Sequence, residues 1–428
     1  MTLRVNSEVG KLSSVLVHLP GPEIDRMIPA MMKESLFDDI LFGTRAREEH
    51  RRFQQVLGYV ADEVLEAERL LEEVLAVREN RAAVLEDLAA NLRWGPDMDH
   101  RLRDLPVERL ASVLVTGIEK PAASEARSSS ELYWLPPAAN YLFQRDPLVV
   151  VGDRAIRCSM ATAARAREPL LSGYIFQYHP RFARPGGAFW FQEFSAEFNP
   201  PTSYARMRPT LEGGDILVLR PDLLAIGYSE RTEKTTIERL AESLKAQRSP
   251  VKRLFVVAIP PERSTMHLDT VFTAISREEC LVYAPMILAG GEEEADVYQC
   301  DLTRKEINWR SENDLLTALK AQGLDLAPVR CGGDDPIAER REQWTDGANA
   351  FALAPGIILL YDRNVRTAEE LGRAGYRIVD EADLLMGREE LDVSEGKCVV
   401  RLAAHELSRA RGGPRCMAMP LVREDPTP

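Results

Sequence analysis

One cysteine and one histidine in this sequence lie close to short runs of acidic residues. Cys416 follows the glycine-rich run that starts at Arg411, and His267 stands two residues before an aspartate in HLDTVFT. Four carboxylates occur in comparable short polar motifs at predicted strand ends: Asp146, Glu212, Asp215 and Asp269. A cysteine, a histidine and carboxylates are the side chains of nucleophilic and acid–base catalysis.

The sign of these charges restricts the chemistry. A free cysteine has a pKa of about 8.5, and neighbouring carboxylates raise it, so the set is poor for a papain-like protease. A cationic substrate changes this, because two carboxylates bind a guanidinium in bidentate fashion and the bound cation stabilises the adjacent thiolate. Arg165, Arg231 and Arg411 would then bind an anion at the far end of the substrate. The residues therefore favour a guanidino substrate over an amide or ester.

Each motif taken alone also has a plain structural explanation. Glu-Gly-Gly-Asp at 212–215 is typical of a tight turn, and Asp146 before a proline commonly starts one. Cys416 alone could be a small buried residue. Only the occurrence of all the motifs in one chain favours the catalytic interpretation.

Composition fits a globular protein that builds its own core. The chain has 428 residues, of which 45% are hydrophobic and 28% charged. Fifty-four basic against 67 acidic residues give a net charge of −13, which argues against nucleic acid or an anionic membrane as partner. No apolar run reaches the roughly 18 residues of a membrane span, and no secretory signal is apparent. Six scattered cysteines predict free thiols in a reducing cytoplasm, and no HxxxH pair supports a metal site.

Hydrophobic periodicity predicts an α/β protein. Residues 45–114 have apolar spacings of three and four, which indicate amphipathic helices. Further helices are expected from Thr235, through a capping box with Glu238, to Gln247, and over 314–322 before Gly323. The predicted strands are Ser14–Leu19, Leu148–Val151, Ile216–Leu219, Leu223–Ile226, Leu254–Ile259, Cys280–Ala284, Ile357–Tyr361 and Val399–Leu402. Several strands per helix predict repeated small α/β modules around a centre, with helices inserted near the N-terminus.

Nine ordered motifs of the sequence resemble those of the bacterial arginine deiminases, members of the guanidino-group-modifying (pentein) superfamily. They include SEVGKLSSVLVHLPGPEIDRM, NYLFQRDP, LEGGDILVL, MHLDTVFT, WTDGANAFALAPGIILLYDRN and ELSRARGGPRCMAMPLVRED. The resemblance implies a five-bladed α/β propeller of ββαβ modules over residues 1–428. It further implies a short strand near Glu63–Glu66 and a helical insertion domain at 67–128.

The resemblance also implies a role for each candidate residue. Cys416 would be the nucleophile, His267 the general acid and base, and Glu212 the carboxylate that holds His267. Asp146 and Asp269 would bind the guanidinium. The residues expected to contact the rest of the substrate or the loops around it are Asn140, Arg165, Arg231, Asp215 and Arg411. Asp215 has two alternative roles here, at the substrate's amino end or in supporting the loops, and Arg167 is the alternative to Arg165.

The implied reaction converts L-arginine to L-citrulline and ammonia through a covalent cysteine intermediate, without metal or cofactor. A cytoplasmic homo-oligomer, a dimer or a tetramer, is expected. Alternatives within the superfamily are an arginine dihydrolase, a dimethylarginine hydrolase and an amidinotransferase. Outside that chemistry, the alternatives are a non-catalytic arginine-binding relative and a cysteine hydrolase acting on peptides.

Overall fold

The same small α/β unit recurs along the chain. The computed structural model describes residues 1–92, 94–121, 132–192, 209–393 and 396–425. The strands are β1 (Leu12–Val17), β2 (Glu63–Glu66), β3 (Ile118–Glu119), β4 (Tyr133–Leu135), β5 (Leu148–Val151), β6 (Arg154–Arg157), β7 (Phe189–Gln192), β8 (Ile216–Arg220), β9 (Leu223–Tyr228), β10 (Arg253–Ala258), β11 (Phe272–Ala274), β12 (Glu279–Val282), β13 (Asp296–Asp301), β14 (Trp309–Glu312), β15 (Ala327–Arg330), β16 (Phe351–Ala354), β17 (Ile357–Tyr361), β18 (Arg377–Asp380), β19 (Cys398–Leu402) and β20 (Met419–Arg423).

Helices connect these strands. They are α1 (Pro22–Asp25), α2 (Met32–Ser35), α3 (Gly43–Leu57), α4 (Ala67–Ala76), α5 (Arg78–Leu92), α6 (Pro96–Arg103), α7 (Val107–Thr116), α8 (Glu168–Tyr178), α9 (Lys234–Ala246), α10 (Ala284–Ile287), α11 (Leu315–Lys320), α12 (Pro336–Trp344), α13 (Val365–Arg373), α14 (Glu381–Leu385) and α15 (Pro414–Met417). None of these helices is long and apolar enough to cross a membrane.

Each unit is an antiparallel hairpin followed by a helix and a parallel third strand. In one unit β5 pairs with β6, and β7 returns parallel to β6 after α8. Three further units have the same antiparallel hairpin and parallel third strand. They are β8–β9 with β10, β11–β12 with β15, and β16–β17 with β19. In the fifth unit β20 is antiparallel to β1, and β2 follows α3 parallel to β1. The two ends of the described chain therefore meet in one sheet.

The predicted strands are all present, with ends that differ by one or two residues at most positions. Continuous burial along β5, β12 and β17 explains why apolar runs identified them. The predicted helix at 235–247 also forms, but its capping box does not, so that prediction was wrong. Glu233 is the N-cap residue and its carbonyl accepts from the amides of Thr236 and Ile237, so Thr235 already lies inside the first turn.

The predicted helix over 314–322 forms as α11, and its end before Gly323 is confirmed. Asp314 is its N-cap residue and accepts a hydrogen bond from the Thr317 amide. Gly323 ends that segment in the left-handed conformation, at φ +78°, where the Leu324 amide reaches back to the Leu319 carbonyl.

Four helices, α4 to α7, lie between β2 and β3. The strand β2 has the bounds that the resemblance implied, and residues 122–128 of the predicted insertion lie outside the described residues. Leu71, Leu85 and Leu114 of these helices share one apolar cluster with Val149 of β5 and Leu171 of α8. The helical segment thus packs directly onto the unit that contains β5, and its status as an inserted domain stays a prediction.

A buried ion cluster joins the ends of β1 and β2. His18 Nδ1 lies 2.7 Å from Glu66 Oε1, and its Nε2 lies 3.2 Å from Glu23 Oε1. Burial alone would lower the pKa of His18, but Glu66 and Glu23 outweigh it and raise the pKa to about 10. His18 is therefore a charged structural residue at neutral pH.

We expect His18 to make stability pH-dependent. Its pKa rises from about 6.5 in the unfolded chain to about 10 in the folded one, so its contribution is complete below pH 6.5 and is lost towards pH 10. His18→Gln should flatten the decline of the unfolding free energy over that window, by about 1.4 kcal/mol per unit of pKa difference. Guanidinium chloride unfolding at several pH values measures this. The exposed His100→Gln serves as control, and parallel pH curves for all three proteins would contradict the assignment.

Candidate active site

Most of the candidate residues lie in the loops that lead into the first strand of each unit, whereas Arg165 and Arg231 follow the second strands β6 and β9. Asp146 precedes β5, Glu212 precedes β8, His267 precedes β11, and Cys416 precedes β20. The loop before β16 contributes Asp346. These loops enclose one cavity, whose described lining is Leu36, Asn140, Phe143, Asp146, Arg165, Arg231, Met266, His267, Thr270, Asp346, Arg411 and Cys416. A set of residues spread over 271 positions of sequence, from 146 to 416, is thus brought together.

Cys416 lies in α15 and is buried. Its Sγ is 3.6 Å from Asn349 Oδ1 and 3.9 Å from Asp269 Oδ2. Burial, together with Asp269, Asp146 and Asp346, raises the pKa of the thiol well above its usual value. The Cys416 thiol is therefore neutral at neutral pH.

His267 and Glu212 form a buried hydrogen-bonded pair. His267 Nε2 donates to Glu212 Oε2 at 2.8 Å, while Nδ1 faces Asp146 Oδ1 at 4.0 Å. Burial opposes the imidazolium, but Asp146, Glu212 and Asp215 raise the pKa of His267 to about 9. Burial likewise opposes the Glu212 carboxylate, but the hydrogen bond from His267 and two neighbouring arginines lower its pKa to about 2. The pair is therefore an imidazolium–carboxylate pair at neutral pH.

Close packing around His267 requires a glycine in the Glu-Gly-Gly-Asp motif. A Cβ on Gly214 would lie against the imidazole ring, and one on Gly213 would lie against the backbone of Arg145. The motif thus has a specific role beyond turning the chain, since its two glycines let His267 and Asp146 approach Glu212.

Asp146 has one oxygen bound by the protein and one free. Arg165 Nη1 donates to Asp146 Oδ2 at 2.9 Å, and its Nε and Nη2 donate to Glu168 Oε2. Asp146 Oδ1 is buried without a hydrogen-bond partner among the described residues. Arg167 instead donates to the Pro136 carbonyl and does not line the cavity, so Arg165 is the arginine of this pair that reaches the site.

Asp269 also has one oxygen bound by the protein and one free, and the residues that bind it were not identified from the sequence. Arg415 Nη1 donates to Asp269 Oδ2 at 2.7 Å, while its Nε and Nη2 donate to the two oxygens of Glu8 at 3.1 Å. Asp269 Oδ1 is buried without a hydrogen-bond partner among the described residues. Arg415 precedes the candidate nucleophile and Glu8 lies in the first motif quoted above. Their 407-residue separation hides the pairing from sequence inspection.

Arg231 lines the cavity, and its whole guanidinium lacks hydrogen-bond partners among the described residues. The residue is only 2% exposed. Two carboxylates lie just beyond hydrogen-bond distance, Glu230 Oε2 at 3.8 Å from Nε and Glu212 Oε2 at 3.9 Å from Nη1. Asn140 also lines the cavity and donates to the Ser35 carbonyl. A buried guanidinium in this condition is a binding site for an anion.

Asp215 lies outside the cavity lining and contacts the surrounding loops. Its Oδ1 accepts from the Leu268 amide at 2.8 Å, and its Oδ2 accepts from the Ser229 hydroxyl at 2.7 Å. Burial raises the pKa of Asp215 to about 6. These contacts favour the loop-supporting alternative over contact with the substrate's amino end.

Arg411 fastens the loop that carries Cys416. Its guanidinium stacks 3.9 Å from the centre of the Trp344 ring and donates to the carbonyls of Trp344, Arg263 and Ser264. Its own backbone is left-handed, at φ +68°, a strained conformation for a non-glycine residue. Arg411 thus joins this loop to the two loops beside it.

Asp146, Glu212 and His267 also deserve consideration as metal ligands. Their ligand atoms lie within 4.8 Å of one another, and all three side chains are buried. However, Arg165 Nη1 and Arg231 Nη1 lie 3.7 and 3.9 Å from Glu212 Oε2, and His267 Nε2 already donates to the same oxygen. Because two guanidinium groups balance this carboxylate, the set fits a hydrogen-bond network better than a divalent cation.

Fold and cavity together define an α/β enzyme with a cysteine and a histidine in its site. The sequence model of the family described as arginine deiminase matches residues 33–423. Arginine deiminase of Listeria welshimeri is 34% identical over 436 residues, and that of Latilactobacillus sakei is 33% identical over 438 residues. The first alignment covers 99% of both chains, and the second 99% of this chain and 98% of the relative. The chain belongs to the arginine deiminase family.

Among solved structures, unliganded AgrE shares the fold. It has a TM-score of 0.51 at 13% identity, over 96% of this chain and 40% of AgrE. A complex of an AgrE mutant with L-arginine has a TM-score of 0.51 at 12% identity, over 97% of this chain and 40% of AgrE. This chain thus corresponds to less than half the length of AgrE.

The Glu8–Arg415 pair should be strongly coupled in stability. Arg415→Gln leaves Glu8 and Asp269 buried without their cation, which should cost about 3–5 kcal/mol of unfolding free energy. Adding Glu8→Gln to Arg415→Gln removes one of the two unpaired buried charges. The double variant should therefore lose less unfolding free energy than the sum of the losses in the two single variants. Denaturant unfolding of the four proteins gives the coupling energy.

An ion pair on the surface provides the control for this double-mutant cycle. Arg310 and Glu312 lie 2.8 Å apart, but the arginine side chain is 66% exposed. Arg310→Gln and Glu312→Gln should couple by less than about 1 kcal/mol. Additive effects at Glu8 and Arg415 would show that their buried pairing is not what stabilises this part of the fold.

Proposed function

We propose that this protein hydrolyses L-arginine to L-citrulline and ammonia, as an arginine deiminase. The main structural support is the pair of free oxygens, Asp146 Oδ1 and Asp269 Oδ1, in the buried site that contains the Cys416 thiol. Two buried carboxylate oxygens without donors suit the N–H groups of a guanidinium. The unpaired Arg231 suits the α-carboxylate of the same substrate.

In the first half-reaction the Cys416 thiolate attacks the guanidinium carbon and a C–S bond forms. His267, which is an imidazolium at neutral pH, donates a proton to the departing nitrogen. The C–N bond breaks and ammonia leaves as ammonium, which carries away the proton from His267 and the proton that Cys416 lost on forming the thiolate, so an S-alkylthiouronium group remains on Cys416. Asp146 and Asp269 hold the cationic carbon in position throughout.

In the second half-reaction water replaces the sulfur. His267, now neutral, takes a proton from the attacking water, and the C–S bond breaks as the C=O of citrulline forms. The hydroxyl of the adduct gives its proton to the departing sulfur, so the site returns to its starting state of neutral thiol and imidazolium. One water is consumed and one ammonia is released for each arginine.

Substrate binding itself creates the nucleophile in this scheme. Burial and the carboxylates Asp269, Asp146 and Asp346 keep the thiol of Cys416 protonated in the free protein. A guanidinium between Asp146 and Asp269 reverses the local potential and lowers the thiol pKa. The proposal therefore ties reactivity to a cationic substrate.

Arg165 has a different role here from direct contact with the substrate carboxylate. Its donors lie on Asp146 and Glu168, and burial raises the pKa of Glu168 to about 7 despite that contact. We therefore assign Arg165 to the positioning of Asp146, and Arg231 with Asn140 to the substrate carboxylate. Contact of Arg165 with the substrate stays a prediction of the family resemblance.

The other guanidino activities differ in their products. An arginine dihydrolase gives ornithine and two ammonia molecules, a dimethylarginine hydrolase gives methylamines, and an amidinotransferase moves the amidino group. A non-catalytic relative gives no product, and the acidic cavity disfavours a peptide-cleaving cysteine hydrolase. Family membership over nearly the whole chain favours the deiminase.

The repeated units and the free cysteines bear on the architecture of the protein and on its cellular compartment. We propose that the five ββαβ units are the blades of a pseudo-symmetric propeller, since the loops before their first strands all contribute to one site. Six free, buried cysteines support work in the cytoplasm. A dimer or tetramer stays a prediction, for which the mass in solution is the test.

Product analysis tests the activity directly. With purified protein, L-arginine and EDTA, citrulline and ammonia should appear in equal amounts, because hydrolysis uses only side chains of this chain. Ornithine with twice as much ammonia would identify a dihydrolase. Loss of activity with EDTA and its recovery with a divalent metal would show that Asp146, Glu212 and His267 bind a metal ion. Cys416→Ala should have no measurable turnover, and the buried, remote Cys300→Ala is its matched control.

Arg231 should determine recognition of the substrate carboxylate. Arg231→Gln should lower kcat/KM for L-arginine by about 10- to 100-fold, the value of one or two charge-assisted hydrogen bonds. It should change kcat/KM for agmatine, which lacks the carboxylate, by less than about threefold. Arg69→Gln, on a side chain that is 80% exposed, should change neither. Equal losses for both substrates would mean that Arg231 acts on the reacting end.

A further inference from the structure

The loop before β16 carries a charged side chain, Asp346, that lines the cavity but has no assigned contact with the substrate. Four units contribute Asp146, Glu212, His267 or Cys416 just before their first strand. The repeated architecture therefore gives Asp346 a place equivalent to those of the reacting groups.

The state of the Asp346 side chain indicates a missing partner. It is 1% exposed, and its Oδ2 has no hydrogen-bond partner among the described residues. The nearest cation is Arg411, with Nη1 4.0 Å from Asp346 Oδ1, too far for a hydrogen bond. Burial raises the pKa of Asp346 to about 6, although Arg411 acts against it. A buried carboxylate in this condition is stabilised by any cation that enters the cavity.

Backbone strain at the same residue supports a functional role. Asp346 has a left-handed backbone at φ +61°, as have Leu36 at +63° and Arg411 at +68°. These three are all lining residues, whereas only one other non-glycine residue of the described chain, Arg248, has positive φ. Such conformations are retained where the surrounding structure holds a side chain in a required direction.

The substrate of the proposed reaction has two cationic groups, and only one has been given a partner. Asp146 and Asp269 serve the guanidinium, and Arg231 serves the carboxylate. Asp215 is engaged on both oxygens by Ser229 and Leu268. Asp146 and Asp346 are the two carboxylates in the described lining, which leaves Asp346 for the second cation.

We propose that Asp346 binds the α-ammonium group of the substrate and so selects α-amino acids among guanidino compounds. This inference depends on the proposed function for the identity of the substrate. Asp346 is then a specificity residue, whose free Oδ2 accepts an N–H of the ammonium. Arg411 lies beside it and supports the loop without occupying that oxygen.

Two analogues of L-arginine separate the contacts. 5-Guanidinopentanoate lacks only the α-amino group, and agmatine keeps an amino group but lacks the carboxylate. The natural protein should prefer L-arginine to 5-guanidinopentanoate by about tenfold or more, since a hydrogen bond to a charged group is worth about 1.5–3 kcal/mol. Asp346→Asn should lower kcat/KM for L-arginine and agmatine by about 10- to 100-fold and change 5-guanidinopentanoate by less than about threefold.

Three results would overturn the proposal. The first is a natural protein that uses 5-guanidinopentanoate as well as L-arginine, a measurement that needs no variant. The second is a loss in Asp346→Asn that is equal for all three compounds. The third is the same selective loss in Asp38→Asn, because Asp38 lies 3.7 Å from Arg411 but outside the cavity lining.

These outcomes are distinct from a failure of the proposed function. If L-arginine is not converted to citrulline by the natural protein, the function itself is wrong. If L-arginine is converted and the analogues show no dependence on Asp346, only the specificity assignment is wrong. Thermal unfolding of each variant checks that the substituted chains are folded.

Discussion

The site depends on one buried cation, Arg415, which is shared between two carboxylates. Glu8 and Asp269 are 7% and 0% exposed, and neither could remain ionised there without a partner. Arg415 is also the peptide neighbour of Cys416, so the residue that binds Asp269 also fixes the nucleophile beside it. Through Glu8, the same cation connects the start of the chain to the unit that β1 and β20 close.

Protonation states follow from this arrangement of charge. Asp269 uses one oxygen on Arg415 and Asp146 uses one on Arg165, so each carboxylate is held rigidly while its second oxygen stays free. Asp146, Glu212 and Asp215 keep His267 protonated, whereas burial together with Asp269, Asp146 and Asp346 keeps Cys416 neutral. The acid is therefore protonated before the substrate arrives, whereas the nucleophile forms only when a cation enters, and this coupling restricts the chemistry to cationic substrates.

The sequence predicted those parts of the structure that have local causes. Buried strands such as β5 and β17 are visible as apolar runs, and Gly323 ends a helix segment through its own backbone. Arg415 and Glu8 were missed because their pairing exists only after distant segments meet, and the orientation of Arg165 towards Asp146 depends equally on tertiary contacts. Asp346 lay within a quoted motif, but only its burial and its free oxygen set it apart from an ordinary turn aspartate.

The groups that remain without partners describe a ligand by themselves. Among the described residues, Asp146, Asp269 and Asp346 each keep a free buried oxygen, and Arg231 keeps free donors. Two acceptors beside Cys416 require planar N–H donors, a further acceptor requires a second cation, and Arg231 requires an anion. A peptide amide offers no such charges, and a simple amine offers only one of them. A guanidino amino acid carries all of them in one molecule, so its binding can satisfy each of these groups at once.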